Sequence, residues 1–150
     1  LQNASEAKFA YIPTKGGGAA ALKAVIAGDM VSGINNLSDA FRAREAGSVK
    51  ILAVADLERS EFLPDVPTLK EAGFDVDDAS VNFRGLMVPK GTPQEVIDVL
   101  SAKVPDMFNH DRVSNRMKAG GSPMKVMGRD EVVAMWQKRQ ETLTELLKGL

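Results

Sequence analysis

The sequence predicts an α/β fold with a largely parallel sheet, and three observations predict it. Short apolar runs of strand length alternate with helical segments along the chain. Most of the helical segments close on glycine, at Gly28, Gly47, Gly73 and Gly120-Gly121, the residue that most readily adopts the left-handed conformation at a helix end. The run Val49-Lys-Ile-Leu-Ala-Val-Ala55 is almost continuously apolar, the pattern of a strand covered on both faces.

Taken in order, a strand over 8–12 leads through Pro13-Thr14-Lys15 into Gly16-Gly17-Gly18 and a helix over 19–27. A weaker strand is expected over 29–34, where Gly33 interrupts the pattern. Asn35-Asn36-Leu37-Ser38 is a loop; Ser38 or a neighbouring Asn caps a helix through Phe41 and Ala43 that stops at Gly47. After the apolar strand, Leu63 to Gly73 holds a short helix with Thr68 and Glu71 at capping-box spacing.

A strand over 82–88 follows, then Thr92-Pro93-Gln94-Glu95, a second capping box with proline at the first helical position. Its helix carries Val96, Ile97, Leu100, Val104, Met107 and Phe108 on one face, and Pro105 is expected to kink or end it. A helix over 111–119, a brief strand over 124–127 and a long amphipathic helix over 128–150 complete the chain. The last helix is expected to bury Val132, Trp136, Leu143, Leu147 and Leu150. Trp136 and the seven methionines read as core packing. The pattern changes near residue 82, from alternation to one strand followed by helices, as two lobes sharing one chain would do.

Composition narrows the function. With 150 residues, 44% hydrophobic and 26% charged, the chain has globular values. Lys plus Arg (19) nearly balance Asp plus Glu (20), so no basic field draws it to nucleic acid. There is no cysteine, which excludes disulfides, thiolate chemistry and Cys-built metal sites. The chain opens on Leu1-Gln-Asn-Ala-Ser and reads as a fragment or a processed product.

The chemistry centres on the strand–glycine–helix stretch. Orphan N–H groups and the positive end of a helix dipole make an anion site there, and glycine lets an anion approach the backbone. The only histidine, His110, lies between two expected helices and reads as a surface or capping residue, so a hydrolytic triad is not supported. No metal, no cofactor and no catalysis are expected. Gly16-x-Gly18-x-x-Ala21 formally matches a loosened dinucleotide fingerprint. This keeps open an α/β enzyme domain that binds a phosphate or dinucleotide, and a plain tight turn remains a further reading.

Several motifs arrive in a fixed order: Tyr11-Ile-Pro-Thr-Lys-Gly-Gly-Gly-Ala-Ala20, Gly28-Asp-Met-Val31, Asn36-Leu-Ser38, Leu52-Ala-Val-Ala55 with Arg59-Ser60, Leu63-Pro-Asp-Val-Pro-Thr68 with Glu71-Ala-Gly73, Gly85-Leu-Met-Val-Pro89 and Gly91-Thr-Pro93. Together they resemble the substrate-binding proteins of tripartite tricarboxylate transporters, the Bug or TctC-like family. The resemblance implies a type II periplasmic binding protein fold of two α/β lobes around a cleft. It implies a periplasmic protein that captures a small organic acid, a di- or tricarboxylate or an aromatic carboxylate, for a membrane permease. Residues 1–81 would form the second lobe, and residues 82–150 the crossover strand and helices of a first lobe lying before Leu1. The exposed apolar face of such a half is expected to drive self-association, as a dimer or domain swap; a self-associating fragment that binds nothing is the remaining alternative.

By the same resemblance the ligand loop maps onto Thr14, Lys15, Gly16, Gly17, Gly18, Ala19 and Ala20, donating backbone N–H groups to one carboxylate. Asn36, Leu37, Ser38, Asn82 and Phe83 would line the rest of the cleft. Lys15 reads equally as an exposed flanking charge, and Asn36 equally as a helix cap. The chain departs from the family's usual Tyr at Thr14, Pro at Ala19 and Asp-Asn-Leu-Pro at Asn35-Asn-Leu-Ser38, which bears on ligand identity more than on fold.

Overall fold

Helices dominate the observed architecture. A computed structural model describes residues 1, 4–78 and 81–148. Five helices follow in order: α1 (Gly17–Ala27), α2 (Leu37–Glu45), α3 (Gln94–Asn109), α4 (Asp111–Ala119) and α5 (Arg129–Leu147). The chain divides into two compact units, Leu1–Asn82 with Ala119–Pro123, and Phe83–Lys118 with Met124–Leu150.

The expected parallel sheet does not form among the described residues. Segments 8–12, 29–34, 82–88 and 124–127 have no ladder partner, and the one pairing is an isolated parallel bridge between Val54 and Thr68. Val54 N–H donates to Pro67 O at 3.0 Å and Val54 O accepts from Leu69 N–H at 2.9 Å, the slanted pattern of a parallel pair. The physical reason is partnership: a strand exists only through inter-strand hydrogen bonds, and an apolar run cannot supply its own neighbour. Leu52, expected to be covered, is 70% exposed.

In the first unit, α1 ends at Gly28 in the left-handed conformation (φ 81°), its N–H donating to Ala24 O and Val25 O. Leu63 (0% exposed), Val66 and Thr68 form the buried centre. The expected helix over Leu63 to Gly73 is a series of turns instead. Its capping box nevertheless forms: Thr68 N–H donates to Glu71 Oε2 at 2.8 Å and Glu71 N–H to Thr68 Oγ1 at 3.0 Å. Arg59 Nε donates to both Glu71 carboxylate oxygens (3.0 and 2.9 Å), and its guanidinium donates to Pro64 O at 2.9 Å. These hydrogen bonds hold Glu71 below the usual carboxylate range, Thr68 N–H first and Arg59 second. Arg44 pairs with Asp65 at 2.6 Å, tying α2 to this loop. Phe41 stacks edge-on against Phe62 at 6.0 Å. Gly121 lies so close to the Phe41 ring that a Cβ there would strike it.

In the second unit, α3 begins one residue later than the second capping box predicts. Pro93 is the N-cap, and the Thr92 hydroxyl donates to Pro89 O at 2.8 Å rather than capping the helix. α3 also runs through Pro105 to Asn109, although Pro105 has no N–H for the Ser101 carbonyl. His110 caps α4: its Nδ1 accepts from Arg112 N–H at 3.2 Å. On α5, Glu131 Oε2 accepts from Gly128 N–H at 2.9 Å, closing the first turn. The part-covered positions of α5 are Val132, Met135, Arg139 and Thr142. The expected stripe is thus corrected: Trp136, Leu143 and Leu147 are 40–60% exposed, and Leu150 lies outside the described residues. Met87 and Met107 are exposed rather than core residues. Trp136 nevertheless stacks edge-on against Phe83 at 5.2 Å.

Candidate functional site

The candidate site lies in the first unit, where the N-terminal turn of α1 meets the loop and first turn of α2. Gly16 is the N-cap of α1 at φ 109° and Gly17 follows at φ 67°, both in the region that side chains disfavour. A Cβ at Gly16 would also press on Ala20 Cβ at 3.3 Å. No side chain caps α1, so its first N–H groups face outward from exposed glycine backbone, in the arrangement that receives anions. The half-buried Thr14 hydroxyl donates to Gly17 O at 3.3 Å and braces the turn. Lys15 and Ala19 are exposed, while Gly18 and Ala20 are half-buried.

Asn36 occupies the N-cap of α2 with extended backbone (φ −65°, ψ 145°), yet its side chain makes no cap hydrogen bond. Its Oδ1 instead accepts from Asn82 Nδ2 at 2.9 Å. Of the two readings open for this side chain, the cap is not the one it adopts. Leu37 and Ser38 sit half-buried in the first turn of α2. Two expected site residues, Asn36 and Asn82, are thus brought together across 46 residues of sequence. Phe83 is engaged within the second unit, against Trp136 and with the Arg139 guanidinium 5.3 Å from its ring centre.

Sequence reasoning missed Asp39 and underrated Asn35. A Cβ at Gly18 would collide with the Asp39 carboxylate, whose Cγ lies 3.3 Å from that position, with Asn35 Oδ1 at 3.6 Å. Glycine at this position leaves the carboxylate its place without displacement. Asn35 Oδ1 is enclosed and lacks a hydrogen-bond partner. The one signal in the sequence was an acid three residues after Asn36, the ordinary place for a carboxylate in a helix's first turn. Its approach to α1 is a tertiary fact. Among the described residues no cluster of His, Asp and Glu could hold a metal ion, and no helix is long and apolar enough to cross a membrane.

Comparison with known proteins adds an independent line. Residues 1–144 match the model of the tripartite tricarboxylate transporter family receptor. Protein BugT of Bordetella pertussis is 30% identical over 111 residues, covering 74% of this chain and 33% of that protein. The UPF0065 protein in the tcbD-tcbE intergenic region of Pseudomonas sp. (strain P51) is 30% identical over 123 residues, covering 75% of this chain and 35% of its own length. A UPF0065 protein of Agrobacterium vitis is 27% identical over 148 residues, covering 99% of this chain and 42% of its own length. The chain spans about a third of the length of most of the curated relatives it matches.

Proposed function

The chain belongs to the tripartite tricarboxylate transporter receptor family, and on that premise we propose that it is part of a periplasmic solute-binding receptor. It captures a small organic acid and presents it to the membrane permease of a tripartite transporter, without catalysis. The observation that carries this reading is the exposed Gly16-Gly17 turn at the uncapped N-terminus of α1. One carboxylate of the ligand takes the backbone N–H groups of that turn. Thr14, Lys15, Gly18, Ala19 and Ala20 shape the turn, and the Asn36–Asn82 pair with Leu37 and Ser38 borders it.

The proposal includes the two-lobed fold of the family. Residues 1–81 belong to one lobe and 82–150 return to the other, and the unpaired extended segments become strands of a parallel sheet beside chain outside these 150 residues. Taken alone, the chain exposes Tyr11, Val31, Ile34, Leu52, Leu86 and Met87, and self-association covers them. Sedimentation velocity at high concentration tests this last point, and a persistent monomer refutes it.

A thermal-shift panel tests the binding reading. Di- and tricarboxylates, aromatic acids and nicotinamide dinucleotides are each added to the chain and to the full encoded polypeptide. A ligand of the native state raises Tm by mass action. A shift with acids alone supports the receptor. A shift with dinucleotides alone replaces it with the nucleotide-binding enzyme reading, and no shift with any acid rejects the organic-acid ligand.

A further inference from the structure

Both stretches at which the chain passes between its two units are fastened to α2. Asn82, the last residue of the first unit before Phe83 opens the second, donates through Nδ2 to Asn36 Oδ1 at 2.9 Å, at the head of α2. Ala119–Pro123 is a short excursion: it belongs to the first unit, while Phe83–Lys118 before it and Met124–Leu150 after it belong to the second. Within the excursion Gly121 and Ser122 are buried, and Gly121 adopts the left-handed conformation at φ 62°. Its missing side chain admits the Phe41 ring of α2. A Cβ there would stand 2.7 Å from Phe41 Cγ and 2.9 Å from Cδ1, closer than packed carbon atoms come. Phe41 in turn meets Phe62 edge-on at 6.0 Å, next to the fully buried Leu63.

We propose that Gly121 and Phe41 are positioning residues for the ligand site. This rests on the receptor reading above and adds how its site is held in shape. Asn36 at the N-cap, Leu37 and Ser38 border the Gly16-Gly17 turn, and all three are carried by α2. Phe41 lies within one helical turn of Ser38, so the seat of its ring places the head of the helix. The Arg44–Asp65 pair near the other end of α2 is partly exposed and holds less. The seat has no slack. With a side chain at 121, either the Phe41 ring shifts and carries α2 with it, or the 119–123 segment lifts from the first unit. Either shift misplaces groups that border the bound acid, although neither Gly121 nor Phe41 touches it. A binding site whose supporting contacts loosen loses affinity even when every contacting residue is still present.

The test compares three variants of the full encoded polypeptide with the parent: Gly121→Asn, Phe41→Leu and the two together. Asparagine keeps access to positive φ, so Gly121→Asn adds the clash with little backbone strain. Two quantities are read. One is amide hydrogen exchange over α2, α3 and α5 by mass spectrometry; the other is the calorimetric Kd for citrate, succinate and benzoate. In each single variant, exchange of the α2 amides should rise roughly tenfold while α3 and α5 keep their protection. An acid that binds the parent should bind each single variant roughly tenfold more weakly. The double variant should add little to either loss, because both substitutions break one contact. Faster exchange in all three helices with Kd unchanged assigns the contact to stability alone and overturns the proposal. An unchanged Kd or unchanged α2 exchange in Gly121→Asn overturns it too, and both outcomes leave the receptor standing. Should Gly121→Asn fail to fold, Phe41→Leu, which keeps an apolar side chain, decides by the same readings. If none of the three acids binds the parent, the receptor reading falls and this proposal with it.

Discussion

Replacing Gly18 by alanine tests the packing of α1 against α2 directly. Gly18 lies inside α1, outside the positive-φ glycines, so backbone strain does not oppose alanine there. On helix propensity alone the change stabilises by up to about 1 kcal/mol. The new Cβ, however, lands on the Asp39 carboxylate, with Cγ only 3.3 Å away. Forcing atoms into occupied space costs about 1–3 kcal/mol. The net expectation is destabilisation of up to about 2 kcal/mol in the parent chain. In an Asp39→Ala background the obstacle is gone, and Gly18→Ala should stabilise by its propensity term. Removing Asp39 also loses a first-turn carboxylate of α2, but that cost is common to both arms of the cycle. Urea denaturation of the four proteins gives the coupling, expected at about 1–3 kcal/mol. If Gly18→Ala stabilises equally in both backgrounds, Asp39 does not lie over Gly18, and the geometry of the candidate site is refuted.

Leu63→Ala removes the most enclosed apolar side chain and should cost about 2–5 kcal/mol by urea denaturation; a loss under about 1 kcal/mol would contradict its burial. Glu71 has a lowered folded pKa, so its contribution to stability is complete above its ordinary value of 4.5 and fades as pH falls toward the folded value. The denaturation midpoint should therefore drop more on acidification in the parent than in Glu71→Gln, and parallel pH profiles would refute the role of the Arg59–Glu71–Thr68 cluster. Asn82→Ala breaks an exposed hydrogen bond, so it should change stability by no more than about 1 kcal/mol while weakening acid binding in titration calorimetry. Phe83→Ala removes the edge contact to the single tryptophan, so the emission of Trp136 should shift to longer wavelength; an unchanged spectrum would place Phe83 elsewhere.

The legible features were those decided within a few residues. Gly28 ends α1 because a helix closes well on a residue free to adopt positive φ. Thr68 and Glu71 exchange hydrogen bonds because three residues of turn bring their groups within reach. The glycine run at 16–18 opens α1, two residues earlier than the apolar pattern suggested. The misreadings had local causes of another kind. The Thr92 hydroxyl donates to Pro89 O instead of accepting from a helix N–H. α3 continues past Pro105, so one missing N–H did not decide where that helix stops.

By itself the sequence determined several of the chain's turns, five of its helices to within a few residues, and which residues stand in the order of a receptor family. All of these depend on backbone preference and short-range hydrogen bonds, whose partners are near neighbours. Only the tertiary structure decided that Asn36 turns from its cap to Asn82, 46 residues away, and that Asp39 comes to rest against Gly18. It also decided that the apolar runs meet at the single Val54–Thr68 bridge rather than in a sheet among the described residues. Those outcomes are set by which distant groups compete for the same space and the same donors, and no single segment carries that information.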